Sequence, residues 1–274
     1  MLSDWRIAFL GAGNMAEALV RGLLAADPSL RERLLASDVS AERRSVFENV
    51  LKVRATADNT EAVCFCDFLV LAVKPQNLAS LLGEVGGLIA AGRLALSIVA
   101  GVRIADLEAR MGPGARVVRA MPNTPLLVRE GASAIARGTH ASEADLAAAA
   151  ELLGAAGKVL RVDEALLDAV TALSGSGPAY FFYFVEALVK AACDLGLDHE
   201  TALALARQTL LGSGKLLAET GLSPEELRRR VTSPGGTTAA AVSVFEDARL
   251  KTIIADAVAA AARRSRELAQ EFGR

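Results

Sequence analysis

The chain has only two histidines and three cysteines in 274 residues. The cysteines, Cys64, Cys66 and Cys193, are odd in number and form no C-x-x-C pair. A disulfide framework and a cysteine-based metal site are both disfavoured, so reduced thiols, no bound metal and a cytoplasmic protein are the expectation. An excess of one charge is also missing: 30 Lys+Arg face 32 Asp+Glu, with no long run of either sign. Neither nucleic acid nor an anionic membrane surface is therefore expected as a partner. No apolar stretch reaches spanning length, because the best candidate, 179–193, is cut by Glu186 and Lys190. The opening Met1-Leu2-Ser3-Asp4-Trp5-Arg6 lacks the basic-then-apolar layout of a secretion signal. A small molecule is left as the expected ligand.

What is present is apolar material in two distinct patterns. With 52% hydrophobic residues, the chain can bury one large core or two modest ones. Short β-rich runs at 6–10, 33–37, 68–73, 94–99 and 117–121 alternate with helical patterns, such as 14–24 and 41–50. The run Phe68-Leu69-Val70-Leu71-Ala72-Val73 is apolar without a break, as expected for a strand covered on both faces. Alternation of this kind predicts a doubly wound parallel sheet. Weaker strands at 132–136 and 158–162 flank a helix at 143–156. From residue 163 onward helical patterns dominate, at 164–173, 178–195, 199–219, 224–231, 237–246 and 250–271. Ala and Leu surround most of each long helix, more than a lone surface helix needs. The expectation is an α/β domain at 1–162, then an all-α domain at 163–274 that forms an obligate dimer interface.

Gly11-Ala12-Gly13-Asn14-Met15-Ala16 follows the first strand directly and opens a helix. It is a G-x-G-x-x-A sequence in the position a dinucleotide site requires. Gly11 serves the tight turn, Gly13 lets a pyrophosphate approach the backbone, and Ala16 lets the helix pack on the strand. Ser37-Asp38 closes the second strand, where an adenosine ribose belongs. An acid there suits NADH, whereas Ser with a nearby Arg suits the 2′-phosphate of NADPH; Arg43 and Arg44 lie about a turn further on and can equally be solvated. Asn59, at the next helix start, is either a ribose or adenosine contact or a helix cap. Ala72-Val73-Lys74-Pro75, Ala100-Gly101 and Met121-Pro122-Asn123-Thr124-Pro125 each end a strand on the side where ligands bind. Lys74 reads as positioning more than catalytic, and Asn123 and Thr124 as a rigid pocket wall or a plain turn. Ser174-Gly175-Ser176-Gly177-Pro178 precedes a long helix with Pro in its first turn, on which Tyr180, Phe181, Phe182 and Phe184 read as core rather than as a cofactor box.

Ser233-Pro234-Gly235-Gly236-Thr237-Thr238 sits just ahead of an alanine-rich helical run. A glycine-rich helix start exposes unpaired N–H groups at the positive end of the dipole, which suits a carboxylate or a phosphate. Backbone donors around Gly235, Gly236 and Thr237, with the Ser233 hydroxyl, are the candidate anion contacts. The alternative is a capped helix corner.

Taken together, these motifs resemble those of the pyrroline-5-carboxylate reductase family over essentially the whole chain. The turns Leu173–Tyr180 and Ser233–Thr238 are the most specific of them. The resemblance implies a Rossmann-type domain followed by a dimerisation domain that interlocks with a second subunit, in dimers that often assemble into decamers. It implies reduction of 1-pyrroline-5-carboxylate to L-proline, with NADPH as reductant and NADH as the alternative. Cofactor contacts would come from Gly11, Gly13, Asn14, Met15, Ser37, Asn59, Ala72, Val73, Lys74, Pro75, Ala100, Gly101, Asn123 and Thr124. Substrate contacts would come from Ser233, Gly235, Gly236, Thr237 and Thr238, with Thr238 hydrogen-bonding the imine nitrogen. Two departures matter: Arg230 stands where relatives often carry a polar residue, and Ser37-Asp38-Val39 lacks the Arg that some relatives carry. His140 and His199 both read as surface residues, which fits a substrate that brings its own proton. A β-hydroxyacid dehydrogenase is the enzyme alternative, but it needs a helix-borne Lys, and Lys190 lacks the flanking Gly and Asn. A non-catalytic dinucleotide sensor leaves the 233–238 turn without a use.

Overall fold

The computed structural model describes residues 2–89 and 92–272. Its eight strands are β1 (Ile7–Leu10), β2 (Leu34–Ser37), β3 (Arg54–Thr56), β4 (Phe68–Leu71), β5 (Leu94–Ser97), β6 (Arg116–Met121), β7 (Gly131–Arg137) and β8 (Gly157–Arg161). They form one sheet in the order β3-β2-β1-β4-β5-β6-β7-β8. The first six strands have the 3-2-1-4-5-6 order of a dinucleotide-binding sheet, with the topological switch between β1 and β4. Side-chain alternation splits the core in two. Ile7 and Phe9 pack on one face, Ala8 and Leu10 on the other, and all four are fully buried. A buried Leu, Ile or Phe side chain contributes about 1.5–3 kcal/mol, so the central strands carry much of this unit's stability.

The sheet departs from the expected parallel arrangement at one pair, because β7 runs antiparallel to β6. Only residues 122–130 join these strands, and they hold Pro122, Pro125 and the 3₁₀ turn Thr124–Val128. A parallel crossover needs a dozen or more residues, so the chain turns back instead. The strand β3 was not anticipated. The expected helix at 41–50 is a short α-helix, Ala41–Ser45, that widens into a π-helical turn, Val46–Leu51. The segment expected as one helix over 164–173 is a 3₁₀ turn, a single α-turn at Leu167–Val170 and a π-helical turn, Thr171–Gly175.

By its contacts the chain divides into two compact units. One runs through Ser176 and takes up the chain again from Ala260; the other is Gly177–Ala259. Composition put the boundary at 162. In the first unit, Ser265 on the C-terminal helix donates to Asp168 (2.7 Å), which helps hold residues 260 onward there. The second unit contains the helices Gly177–Asp194, His199–Glu219, Pro224–Arg230 and Thr237–Asp247. Two of their starts are capped by side chains: Asp198 accepts from the Thr201 N–H, and Ser223 from the Glu226 N–H ahead of Pro224. Among its described residues only Gly177, Val189 and Ala202 are buried. Phe181, Phe182 and Tyr183 are more than half exposed, so the phenylalanines expected in a core face outward from the single chain.

Candidate functional site

The first group of predicted residues lies in the sheet-bearing unit, at the carboxyl ends of its strands. Gly11 has φ +99°, a conformation that favours glycine. A Cβ there would sit 2.7 Å from the Ala72 carbonyl oxygen and 3.0 Å from the Val73 nitrogen. The turn after β1 and the turn after β4 are therefore in contact, and neither can move away because both are backbone. Gly11 N–H donates to Ser37 O, and Ala72 N–H to Leu10 O, both at 2.8 Å. These bonds tie Gly11, Ser37, Ala72 and Val73 into one patch across the switch point.

Gly13 is the N-cap of the helix Asn14–Ala26, and no side chain caps it. Its φ of −71° is ordinary, and a Cβ added there would meet no protein atom within 4 Å. The N–H groups of Asn14, Met15 and Ala16 precede the first helical bond, which Glu17 N–H makes to Gly13 O (3.0 Å). Open space above a bare backbone, next to the positive end of a thirteen-residue helix, fits a pyrophosphate. This is the observation by which the residues present suit a dinucleotide.

Ser37 and Asn59 are brought together. Ser37 Oγ, fully buried, donates to Asn59 Oδ1 (2.8 Å), and Asn59 Nδ2 donates to Glu84 (3.1 Å). The cap of that helix is Asp58, not Asn59. Asp38 faces the glycine turn: its carboxylate accepts from the N–H groups of Ala12 and Ser40, each at 2.8 Å. Arg43 is more than a solvated side chain. It donates to Ala12 O (2.6 Å) and to Glu17 (2.8 Å), while Arg44 donates to Asp38 O and Val39 O. Burial alone would raise the Glu17 carboxyl, but hydrogen bonds from Arg21 and Arg43 together hold it below its ordinary value. Sequence reading missed Glu17. The only local signal was its position one turn into the helix, with Arg21 four residues on.

Lys74 is exposed, and Pro75 opens the helix Pro75–Ile89 at its first position. Ala100 is half-buried. Gly101 is buried with φ +71°, and a Cβ would lie 3.1 Å from Leu268 Cβ on the C-terminal helix. Asn123 is buried and Thr124 exposed, at the end of β6. Asn123 has its side-chain amide engaged at both ends: Oδ1 accepts from Ala132 N–H (2.8 Å) and Nδ2 donates to Ser174 O (3.1 Å). His140 and His199 are both exposed.

The second group lies in the helical unit and stands by itself there. Gly236 N–H donates to Ser233 O (3.0 Å), which closes a turn with Pro234 second and Gly235, at φ +70°, third. That is the residue pattern of a type II turn. A Cβ on Gly236 would lie 2.5 Å from Ser233 Oγ, so the hydroxyl folds over the glycine. Gly236 is the N-cap of the helix Thr237–Asp247, again without a side-chain cap, and the first helical bond comes from Ala240 N–H (3.1 Å). The N–H groups of Thr237, Thr238 and Ala239 are therefore first-turn donors. Thr238 is half-buried, and Ser233 and Thr237 are exposed. Arrangement and chemistry suit a small carboxylate with a hydroxyl beside it. No cluster of three or more metal-ligating side chains occurs among the described residues. No helix among them is long and apolar enough to cross a membrane.

Comparison with known proteins gives matches along the whole chain. Residues 164–268 match the family profile described as pyrroline-5-carboxylate reductase dimerisation. Residues 6–101 match the one described as NADP oxidoreductase, coenzyme F420-dependent. A pyrroline-5-carboxylate reductase of Pseudomonas aeruginosa is 44% identical over 274 residues, covering 99% of this chain and 100% of that protein. The solved structure of a Coxiella burnetii pyrroline-5-carboxylate reductase is 38% identical and superposes with a TM-score of 0.91, covering 96% of this chain and 98% of that one. A Plasmodium falciparum pyrroline carboxylate reductase, solved with NADP bound, is 30% identical with a TM-score of 0.87, covering 97% and 98%.

Proposed function

The chain belongs to the pyrroline-5-carboxylate reductase family, and we infer from that membership that it reduces 1-pyrroline-5-carboxylate to L-proline with NAD(P)H, the last step of proline synthesis. It is an oxidoreductase acting on a C=N bond. The observation that carries the assignment to particular residues is the turn Ser233–Gly236, which delivers an uncapped, glycine-rich helix start with two threonines on it.

When bound, the reduced nicotinamide supplies hydride to the imine carbon. The turn after β1 and the helix Asn14–Ala26 hold the pyrophosphate over Gly13 through the Asn14 and Met15 N–H groups. Asp38 and Ser37 border the adenosine ribose, and Asn59 secures Ser37 there. Ala72, Val73, Lys74 and Pro75, with Ala100, Gly101, Asn123 and Thr124, form the carboxyl-end crevice that takes the nicotinamide side. The substrate carboxylate is held by the Gly235 and Thr237 N–H groups and the Ser233 hydroxyl, passing over Gly236, whose own N–H closes the turn onto Ser233 O. Thr238 orients the ring nitrogen. That nitrogen carries a proton as hydride arrives, so the C=N π pair ends as the amine lone pair and no anion forms on nitrogen. Neither exposed histidine is needed as an acid. Orientation of the two reactants supplies most of the rate.

The protein acts in the cytoplasm as a homodimer built through 163–274, and decamers of such dimers are the larger assembly proposed. The exposed Phe181, Phe182 and Tyr183 support this, since apolar surface of that kind calls for a partner. The test follows loss of reduced-nicotinamide absorbance with 1-pyrroline-5-carboxylate, using NADPH and NADH in parallel. The wild type should oxidise at least one of them. Thr238→Ala should lower kcat roughly ten- to a hundredfold, the usual span for a lost transition-state hydrogen bond, with cofactor affinity unchanged. Undiminished turnover in that variant removes Thr238 from the mechanism.

A further inference from the structure

Asn123 stands where two backbone groups have lost their regular partners. The β6–β7 register pairs Met121 with Ala134, so residue 123 lies opposite Ala132. Were the ladder to continue, the carbonyl of residue 123 would take the Ala132 N–H. The chain instead leaves the sheet at Pro122, and Asn123 O accepts from Leu126 N–H (3.2 Å) as the 3₁₀ turn begins. The side chain takes over: Asn123 Oδ1 accepts from Ala132 N–H at 2.8 Å.

The second orphan is the Ser174 carbonyl. In a continuous helix it would receive the N–H of residue 178, but residue 178 is proline and has none. The turn before it is π-wound, closed by Ser176 N–H to Thr171 O (2.8 Å). The Ser174 hydroxyl is turned back onto Val170 O (3.1 Å). Asn123 Nδ2 supplies the missing donor to Ser174 O at 3.1 Å. The amide is only 8% exposed, so water competes poorly for either end. A second contact locks the same two segments, since a Cβ on Gly175 would collide with Met121 Cε.

We propose that Asn123 is a positioning residue for hydride transfer: its amide replaces one backbone acceptor and one backbone donor and so fixes the 171–176 turn against the loop that ends β6. The proposal rests on the reductase reading above. It adds to the part Asn123 plays in that reading: one amide N–H and one Oδ1 lone pair are committed to the backbone and fix the amide in place, which leaves only its second N–H and second lone pair for the dinucleotide. β6 ends on the ligand side of the sheet, so the bracket sets the shape of the nicotinamide end of the crevice. π-turns recur at functional sites because they place backbone groups that a regular helix would bond internally.

The test starts from wild-type turnover of 1-pyrroline-5-carboxylate with NADPH. Asn123→Asp is nearly isosteric; it keeps the acceptor for Ala132 and replaces the donor to Ser174 with an oxygen. Its kcat should fall roughly ten- to a hundredfold, the scale of a misplacement near 1 Å. NADPH affinity, read by fluorescence titration, and the KM for the imine should each change less than about threefold. Pro178→Ala then gives residue 178 an N–H that can serve Ser174 O. In that background the loss caused by Asn123→Asp should shrink to about threefold or less, as a coupled pair requires. Should Asn123→Asp prove too unstable to purify, Asn123→Ser carries the same expected split between kcat and affinity. A kcat within twofold of wild type, or an equal loss in both backgrounds, overturns the proposal. A wild type inert toward the imine overturns the substrate reading and this proposal with it, an outcome distinct from failure of Asn123 alone, which leaves wild-type turnover in place.

Discussion

Gly11 and Gly13 are two residues apart, yet alanine should act on them in opposite ways. At Gly13 the backbone is at φ −71° and ψ 179°, open to any residue, and the added Cβ meets no protein atom. Two small effects offset. Alanine is a poorer N-cap than glycine, at a cost of about 0.5–1 kcal/mol. It also restricts the unfolded chain, a gain of about 0.4–1 kcal/mol. Folding stability should therefore stay within about 1 kcal/mol of wild type, or a few degrees in Tm for a chain of this size. Binding should suffer far more, because the methyl occupies the space through which a pyrophosphate reaches the Asn14 and Met15 N–H groups. Loss of one hydrogen bond to a charged group costs about 1.5–3 kcal/mol, or roughly a ten- to 150-fold weaker Kd for NADPH. Gly11→Ala is the contrast. Its φ is +99° and its Cβ would lie 2.7 Å from Ala72 O, so strain and a backbone shift should together cost about 2–5 kcal/mol of stability. Thermal unfolding and a fluorescence titration with NADPH on both variants test this. A Gly13→Ala protein that binds NADPH within twofold of wild type at unchanged Tm would refute the placement of the pyrophosphate.

Two further expectations concern groups remote from the reacting atoms. Arg119 is nearly buried and paired with Glu164 at 2.9 Å, and the same carboxylate oxygen accepts from Ile104 N–H. Glu164→Ala should lower the unfolding free energy by about 2–3 kcal/mol, somewhat under the full value for breaking a buried pair because Glu164 is one-third exposed; an unmoved urea midpoint would contradict this. Burial pushes the Cys66 thiol up to about 12, whereas Cys64 is exposed. Iodoacetamide at pH 8 should therefore modify Cys64 in the native protein and Cys66 only on unfolding, and equal labelling of the two by mass spectrometry would contradict the burial argument.

Much of the sheet-bearing unit was legible because its signals are local. The unbroken apolar run at 68–73 could hardly be anything but a covered strand, and Gly11-Ala12-Gly13 identified the turn after β1. The antiparallel β7 was not legible, since neither Ala132 nor its neighbours carry a sign of direction; the short, proline-bound link at 122–130 decides it. The outward-facing Phe181 and Phe182 were read as core because hydrophobicity reports a wish for burial without naming the partner that provides it. Arg43 looked like one more solvated charge in a charged helix, and its bond to Ala12 O spans 31 residues of sequence.

The sequence by itself determined which turns are glycine-bound, where strands and helices alternate, that a helical region follows, and which family's motifs are present. These follow from neighbours within a few residues, through periodicity, φ preference and missing N–H groups. Only the tertiary structure decided which turns touch: Gly11 against Ala72, Ser37 bonded to Asn59, Asp38 to the glycine turn, and Asn123 between Ala132 and Ser174. Each of those contacts joins groups 9 to 61 residues apart. Pro178 could be read from the sequence as a missing donor, but the amide that replaces it lies 51 residues upstream of Ser174, and only the folded sheet brings it there.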